Sequence, residues 1–211
     1  MNFISDQLQQ YIDDHSMEES DLLKALDRET HQKVLQPRML SGSYQGRFLA
    51  LLAKMIGPKK ILEVGTYTGY ATLCLAEGLT TGGSIDTIDH NEELADMQRR
   101  YFDQSPYGSQ IVQHLGEAKD ILKTLTGPYD LVFLDADKEN YPQYFDLIID
   151  KLETGGILLS DNVLWSGKVL EKATDEATSS LQEYNHKINT DVRVETVVLP
   201  IRDGLTITRK C

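Results

Sequence analysis

Three short stretches of this 211-residue chain place reactive side chains at the ends of apolar runs. The first is Glu63-Val64-Gly65-Thr66-Tyr67-Thr68-Gly69-Tyr70. The run Ile61, Leu62 and Val64 stops at Gly65, and Gly69 opens a helical pattern in Ala71, Leu73, Leu75 and Ala76. A strand, a tight glycine turn and a helix make the first half of a nucleotide-binding βαβ unit. The two glycines flank three residues, which is not the dehydrogenase spacing, so no pyrophosphate has to be cradled here. Such a turn suits a ligand lying close over the backbone, with a cationic or amino group near Glu63. The next strand, Ser84 to Ile88, ends in Asp89, where a carboxylate can bind both hydroxyls of a ribose. The other two stretches are Leu131 to Leu134, with Asp135 at its end, and Gly156 to Ser160, ending in Asp161-Asn162. Ligands in open α/β sheets bind outside the carboxyl ends of strands, so two carboxylates and one amide converge on one crevice. Three oxygen donors, with no His-Cys cluster nearby, suit a hard divalent cation: magnesium first, calcium or manganese as alternatives. Glycine at a strand end is usually only a turn, and aspartate there is often a helix cap. The coincidence of these features at successive strand ends favours a ligand and a metal.

The elements that must position these residues follow from periodicity. From Lys60 onward strands are expected near 60–65, 84–89, 110–114, 129–135, 156–161, 192–199 and 204–209. Helices are expected near 69–79, 91–104, 117–125, 141–152 and 174–189. This alternation predicts an α/β fold with a mostly parallel sheet and helices on both faces. The last two strands have no helix between them, which predicts a closing antiparallel hairpin turning at Pro200-Ile201-Arg202-Asp203. Residues 4–57 look helical. Ile4, Leu8, Tyr11 and Ile12 share one face, Ser20 and Asp21 can cap a second helix, and Ser41 or Ser43 starts a third that ends at Gly57-Pro58. These helices form an N-terminal cap over 1–57, and 58–211 forms the core of a single domain. They are expected to cover a sheet edge, to roof the ligand site through the loop 37–42, or to supply a dimer surface.

A net charge of −12 works against non-specific nucleic-acid binding and is compatible with a cationic cofactor and a divalent metal. No apolar run approaches the ~20 residues of a membrane span, and the first residues do not read as a secretion signal. Cys74, inside a helical pattern, and Cys211, the last residue, make no disulfide framework. These features predict a cytoplasmic protein.

The glycine turn followed by the strand-end Asp89 resembles the cofactor site of S-adenosylmethionine-dependent methyltransferases. The resemblance becomes close in Asp135-Ala136-Asp137-Lys138-Glu139-Asn140-Tyr141, Asp161-Asn162-Val163-Leu164-Trp165 and Pro200-Ile201-Arg202-Asp203-Gly204-Leu205. From Met39 to the end the chain resembles the cation-dependent O-methyltransferases that include catechol and caffeoyl-coenzyme A methyltransferases. The resemblance implies a Rossmann-like methyltransferase fold of seven strands and makes Asp135, Asp161 and Asn162 the metal ligands. It places Glu63, Gly65, Thr66, Tyr70, Ala71, Asp89, Ala118 and Asp135 along the cofactor, with Met39 and Ser41 closing over it. Lys138 matches the catalytic lysine and Trp165 a substrate-wall position. Ala71 departs from the family, which often has a cofactor-bonding serine there. Substrate choice is expected from the segments 1–35 and 165–177.

The implied reaction is transfer of the sulfonium methyl to a hydroxyl of a vicinal dihydroxy aromatic, with Lys138 accepting the proton or stabilising the phenolate. The same family contains enzymes acting on hydroxylated uridine in tRNA, an alternative that the acidity disfavours. A cofactor-binding protein without turnover would need a damaged metal site, and none of the three positions is damaged. A nicotinamide-dependent dehydrogenase is disfavoured by the glycine spacing. Related enzymes are often dimers, so a homodimer is expected.

Overall fold

The structure, a computed structural model, describes residues 5–211, without the side chain of Asp6. Ile4 lies outside the described residues. Three helices come first: α1 (Asp6–Asp14), α2 (Asp21–Lys33) and α3 (Gly42–Ile56). They are followed by β1 (Lys60–Val64), α4 (Tyr70–Ala76), β2 (Ser84–Asp89), α5 (Glu92–Gln104), β3 (Ile111–Leu115), α6 (Ala118–Thr124) and β4 (Tyr129–Leu134). The chain ends with α7 (Tyr141–Ile149), β5 (Leu152–Asp161), α8 (Glu176–Thr190), β6 (Val194–Leu199) and β7 (Leu205–Lys210).

Helix boundaries follow the residue chemistry. The Ser20 hydroxyl accepts from the Leu23 N–H at 3.3 Å, a cap that contributes about 1 kcal/mol. Of the two serines expected to start α3, Ser41 is the one that flanks it. That helix stops where Gly57 takes the left-handed conformation at φ 62°, before Pro58. Gly46 lets α3 cross close to α4, since a Cβ there would lie 2.6 Å from the Tyr70 ring.

The sheet order is β3-β2-β1-β4-β5-β7-β6. β1 to β5 pair in parallel, and β7 runs antiparallel between β5 and β6. The hairpin turn therefore falls where expected, but the last strand inserts beside β5 and leaves β6 at the edge. From β1 the chain winds out to β3 and then returns to β4 on the other side of β1. This reversal is the topological switch point at which such sheets open a crevice. Register carries the chemistry into line there: Val64 pairs Leu134 and Leu134 pairs Ser160, so Gly65, Asp135 and Asp161 follow side by side.

Strand side chains alternate between two cores. Ile61, Leu131 and Phe133 pack with Leu23, Leu26, Leu49 and Phe102 on one face. Leu62, Val64, Val132 and Leu134 pack with Tyr141, Phe145, Leu181 and Ile188 on the other. Helices α2 and α3 thus share their core with the sheet, each fully buried leucine or phenylalanine contributing about 1.5–3 kcal/mol.

Two expected boundaries are corrected. The helix expected over 141–152 ends at Ile149, and the strand expected from 156 begins at Leu152. Buried Leu152 pairs with Tyr129 at the start of β4, and the extra residues around Gly155, at φ 82°, are absorbed by a register shift before Leu131. Among the described residues no helix is long and apolar enough to cross a membrane.

Candidate active site

The glycine turn is held from below by its neighbours. The Gly65 N–H donates to the Ile88 carbonyl at 2.9 Å, and the Asp135 N–H donates to the Val64 carbonyl at 2.8 Å. Asp89 receives the Tyr67 N–H on Oδ2 at 2.6 Å and the Asn91 N–H on Oδ1 at 2.9 Å. Each carboxylate oxygen accepts one backbone bond and keeps a lone pair for a ligand hydroxyl.

Glu63 lies beneath the turn rather than in the open cleft, fully buried among threonines. Its Oε2 accepts from Thr72 and, at 2.5 Å, from Thr87, whose hydroxyl also contacts Thr66 at 2.6 Å. Burial pushes its pKa up to about 8, against the pull of the two hydroxyls. Its Oε1 is buried without a partner. An orphaned carboxyl oxygen under the turn fits a cationic or amino group arriving above it.

The cleft over the turn is lined by Met39, Leu40, Ser41, Gly65, Thr66, Tyr67, Tyr70, Ala71 and Asp135. Seven of these are residues expected along the cofactor; Leu40 and Tyr67 add to them. Tyr67 is tied down by its own hydroxyl, which donates to the Gln36 carbonyl at 2.9 Å, and by Gln98, which donates to its carbonyl at 2.6 Å. The Tyr70 hydroxyl is turned away and donates to Glu19. Ala118 stands outside the cleft lining, at the start of α6 just past β3. There the Gly116 N–H donates to the Asp89 carbonyl at 2.9 Å.

Asp135 and Asp161 leave adjacent parallel strands. Asp161, 1% exposed, accepts the Asn162 N–H on Oδ1 at 2.8 Å and the Gln45 amide on Oδ2 at 2.7 Å. Burial pushes its pKa up to about 6; the charge on Asp135 reinforces this, and Lys138, Gln45 and Arg202 oppose it. Asn162 follows in the left-handed conformation at φ 61°, which asparagine tolerates better than most residues. Among the described residues no group of three or more His, Cys, Asp or Glu side chains that could hold a metal comes together. The oxygen donors expected from the sequence are two carboxylates and an amide. This all-oxygen chemistry fits magnesium, calcium or manganese and does not fit zinc.

Lys138, 8% exposed, donates to Asp135 Oδ1 at 2.9 Å and to the Tyr141 hydroxyl at 2.6 Å. Tyr141 in turn donates toward the Leu134 and Asp161 carbonyls at 3.1 and 2.9 Å. The ammonium is thus held at the mouth of β4, beside both carboxylates. Trp165 opens a tight turn, with φ 47° followed by Ser166 at φ 53°. Its indole Nε1 is buried without an acceptor.

Three contributors were not legible as site residues. Gln45 comes from a distant element, and no local spacing marks it. Arg202 and Tyr141 both lay inside recognised motifs, Arg202 in the closing hairpin and Tyr141 three residues after Lys138, and only for Tyr141 was that helical offset an available signal.

The comparisons agree with this geometry. A sequence profile described as O-methyltransferase matches residues 13–211. A caffeoyl-CoA O-methyltransferase of Petroselinum crispum is 33% identical, over 98% of this chain and 91% of the relative. A catechol O-methyltransferase of Niastella koreensis is 32% identical, over 94% of this chain and 91% of its own. Among solved structures, an O-methyltransferase from Bacillus cereus in complex with SAH superposes with a TM-score of 0.91 at 28% identity, covering 97% of both chains. TomG from Streptomyces achromogenes, in complex with SAM, gives a TM-score of 0.91 at 26% identity, covering 97% of this chain and 96% of its own. Strand-end carboxylates beside a glycine turn, on this sheet order and with these relatives, make the chain a member of the O-methyltransferase family.

Proposed function

We propose that this chain transfers the sulfonium methyl of S-adenosylmethionine to one hydroxyl of a vicinal dihydroxy aromatic of the catechol or caffeoyl type, with a divalent cation at Asp135, Asp161 and Asn162. The observation that carries this reading is the meeting of Asp135, Asp161 and Lys138 beside the glycine turn. The SAH and SAM complexes of the two solved relatives support the donor.

Asp89 takes the ribose hydroxyls, Glu63 Oε1 faces the amino end, and Met39 and Ser41 close over the ligand. Trp165 walls the acceptor. A bound cation supplies positive charge that lowers the pKa of a chelating acceptor hydroxyl. Lys138, fixed by Asp135 and Tyr141, steadies the oxyanion as the proton leaves. Both acceptor oxygens are held in one orientation, and positioning of this kind lowers the barrier by several kcal/mol.

The test is a methyltransferase assay on a panel of catechols and their monohydroxy analogues, with magnesium and with excess EDTA. Turnover is expected to need the cation and to fall sharply on the monophenol. Asp161→Ala is expected to remove turnover and keep binding of S-adenosylhomocysteine. Full activity in EDTA, or equal rates on both acceptors, sinks the chelation.

A further inference from the structure

Gln45 is the fully buried polar side chain of α3 that reaches the reaction centre. Its Nε2 donates to Asp161 Oδ2 at 2.7 Å, and its Oε1 accepts from Arg202 Nη1 at 3.1 Å. An ionised carboxylate only accepts and a guanidinium only donates, so the amide has one allowed orientation between them. With the Asn162 N–H on the other oxygen, both oxygens of Asp161 are anchored. The same Arg202 nitrogen donates to the Ser41 carbonyl at 2.7 Å, at the edge of the cofactor cleft. Arg202 itself sits at φ 52° in the β6–β7 turn, which β7 brings next to Asp161 by pairing with β5.

We infer that Gln45 is a positioning residue: oriented by Arg202, it presents the Asp161 carboxylate to the cation. The inference rests on the cation reading above. Residues that orient metal ligands typically change metal affinity about 10- to 100-fold when removed.

The test measures Mn²⁺ binding by electron paramagnetic resonance and S-adenosylhomocysteine binding by calorimetry. It uses wild type, Gln45→Leu, Arg202→Met, the double variant and Asp161→Ala. Gln45→Leu is expected to weaken Mn²⁺ about 10- to 100-fold and to leave S-adenosylhomocysteine affinity unchanged, which a global packing defect would not do. Arg202→Met lies in a turn and spares the buried core, so it keeps the test open should Gln45→Leu not fold. It is expected to weaken Mn²⁺ by itself and to add less than its own loss in the Gln45→Leu background, because part of its effect passes through that amide. Wild-type Mn²⁺ affinity in both single variants, or fully additive losses, overturns the inference and leaves the cation reading standing. Wild type that binds Mn²⁺ no better than Asp161→Ala overturns the cation reading, and the inference falls with it.

Discussion

A Cβ on Gly65 would lie 2.0 Å from the carbonyl oxygen of Asp135. The turn after β1 and the end of β4 are therefore in backbone contact, and the cofactor turn and the first proposed metal ligand are one rigid unit. Gly65 also has φ 103°, which penalises any side chain. We predict that Gly65→Ala destabilises the fold by about 2–5 kcal/mol, combining the backbone penalty with the overpacking. Urea unfolding of the variant checks this, and unchanged stability would mean that the two backbones separate freely.

Asp89→Ala is expected to weaken binding of S-adenosylhomocysteine by about 1.5–3 kcal/mol, the cost of losing a charged acceptor for a hydroxyl. Because Asp89 also holds the Tyr67 and Asn91 N–H groups, part of the loss will come from a loosened turn. Calorimetry on Asp89→Asn, which keeps one acceptor oxygen, separates the two contributions. Unchanged affinity in both variants removes Asp89 from the ribose site.

Glu63 makes stability depend on pH in a defined direction. Its folded pKa of about 8 stands above the ordinary carboxylate value of 4.5, so between these values the folded state holds a proton that the unfolded state has lost. Stability from this group is fully present below about pH 4.5 and is lost as pH rises through about 8. The whole window is worth on the order of 5 kcal/mol. Denaturant unfolding at pH 5.5 and 8.5 should show wild type losing more stability than Glu63→Gln, which cannot ionise. Equal losses would mean that Glu63 folds in its charged form.

We predict a homodimer formed through the N-terminal helices. Leu8 and Tyr11 on α1, and Leu51 and Met55 on the outer face of α3, are exposed, Met55 at 72%. Each pair is spaced three or four residues apart, so each makes a stripe on its helix. Light scattering should give twice 23.8 kDa at micromolar concentration, and Met55→Glu should return the monomer mass. A monomer mass for wild type ends the idea.

The strand-end chemistry was legible because each piece is local. Gly65, Asp89, Asp135 and Asp161 all stand where an apolar strand run stops, and the length of a run is written in consecutive residues. The hairpin at Pro200–Asp203 was legible for the same reason, whereas the start of β5 was not, because Gly155 and Gly156 look like a turn until Leu152 finds Tyr129 across the sheet. Sequence spacing also says nothing of depth, so it could not show that Glu63 sits under the turn with one oxygen unpaired. By itself the sequence determined which residues could do chemistry and that they belong at one end of a parallel sheet. Tertiary structure decided what holds them. Gln45 meets Asp161 across 116 residues, and Arg202 meets Ser41 across 161. Those bonds exist because β7 inserts beside β5 and α3 packs over the switch point. A hydrogen bond between distant segments depends on that packing and on no repeat or spacing in the chain.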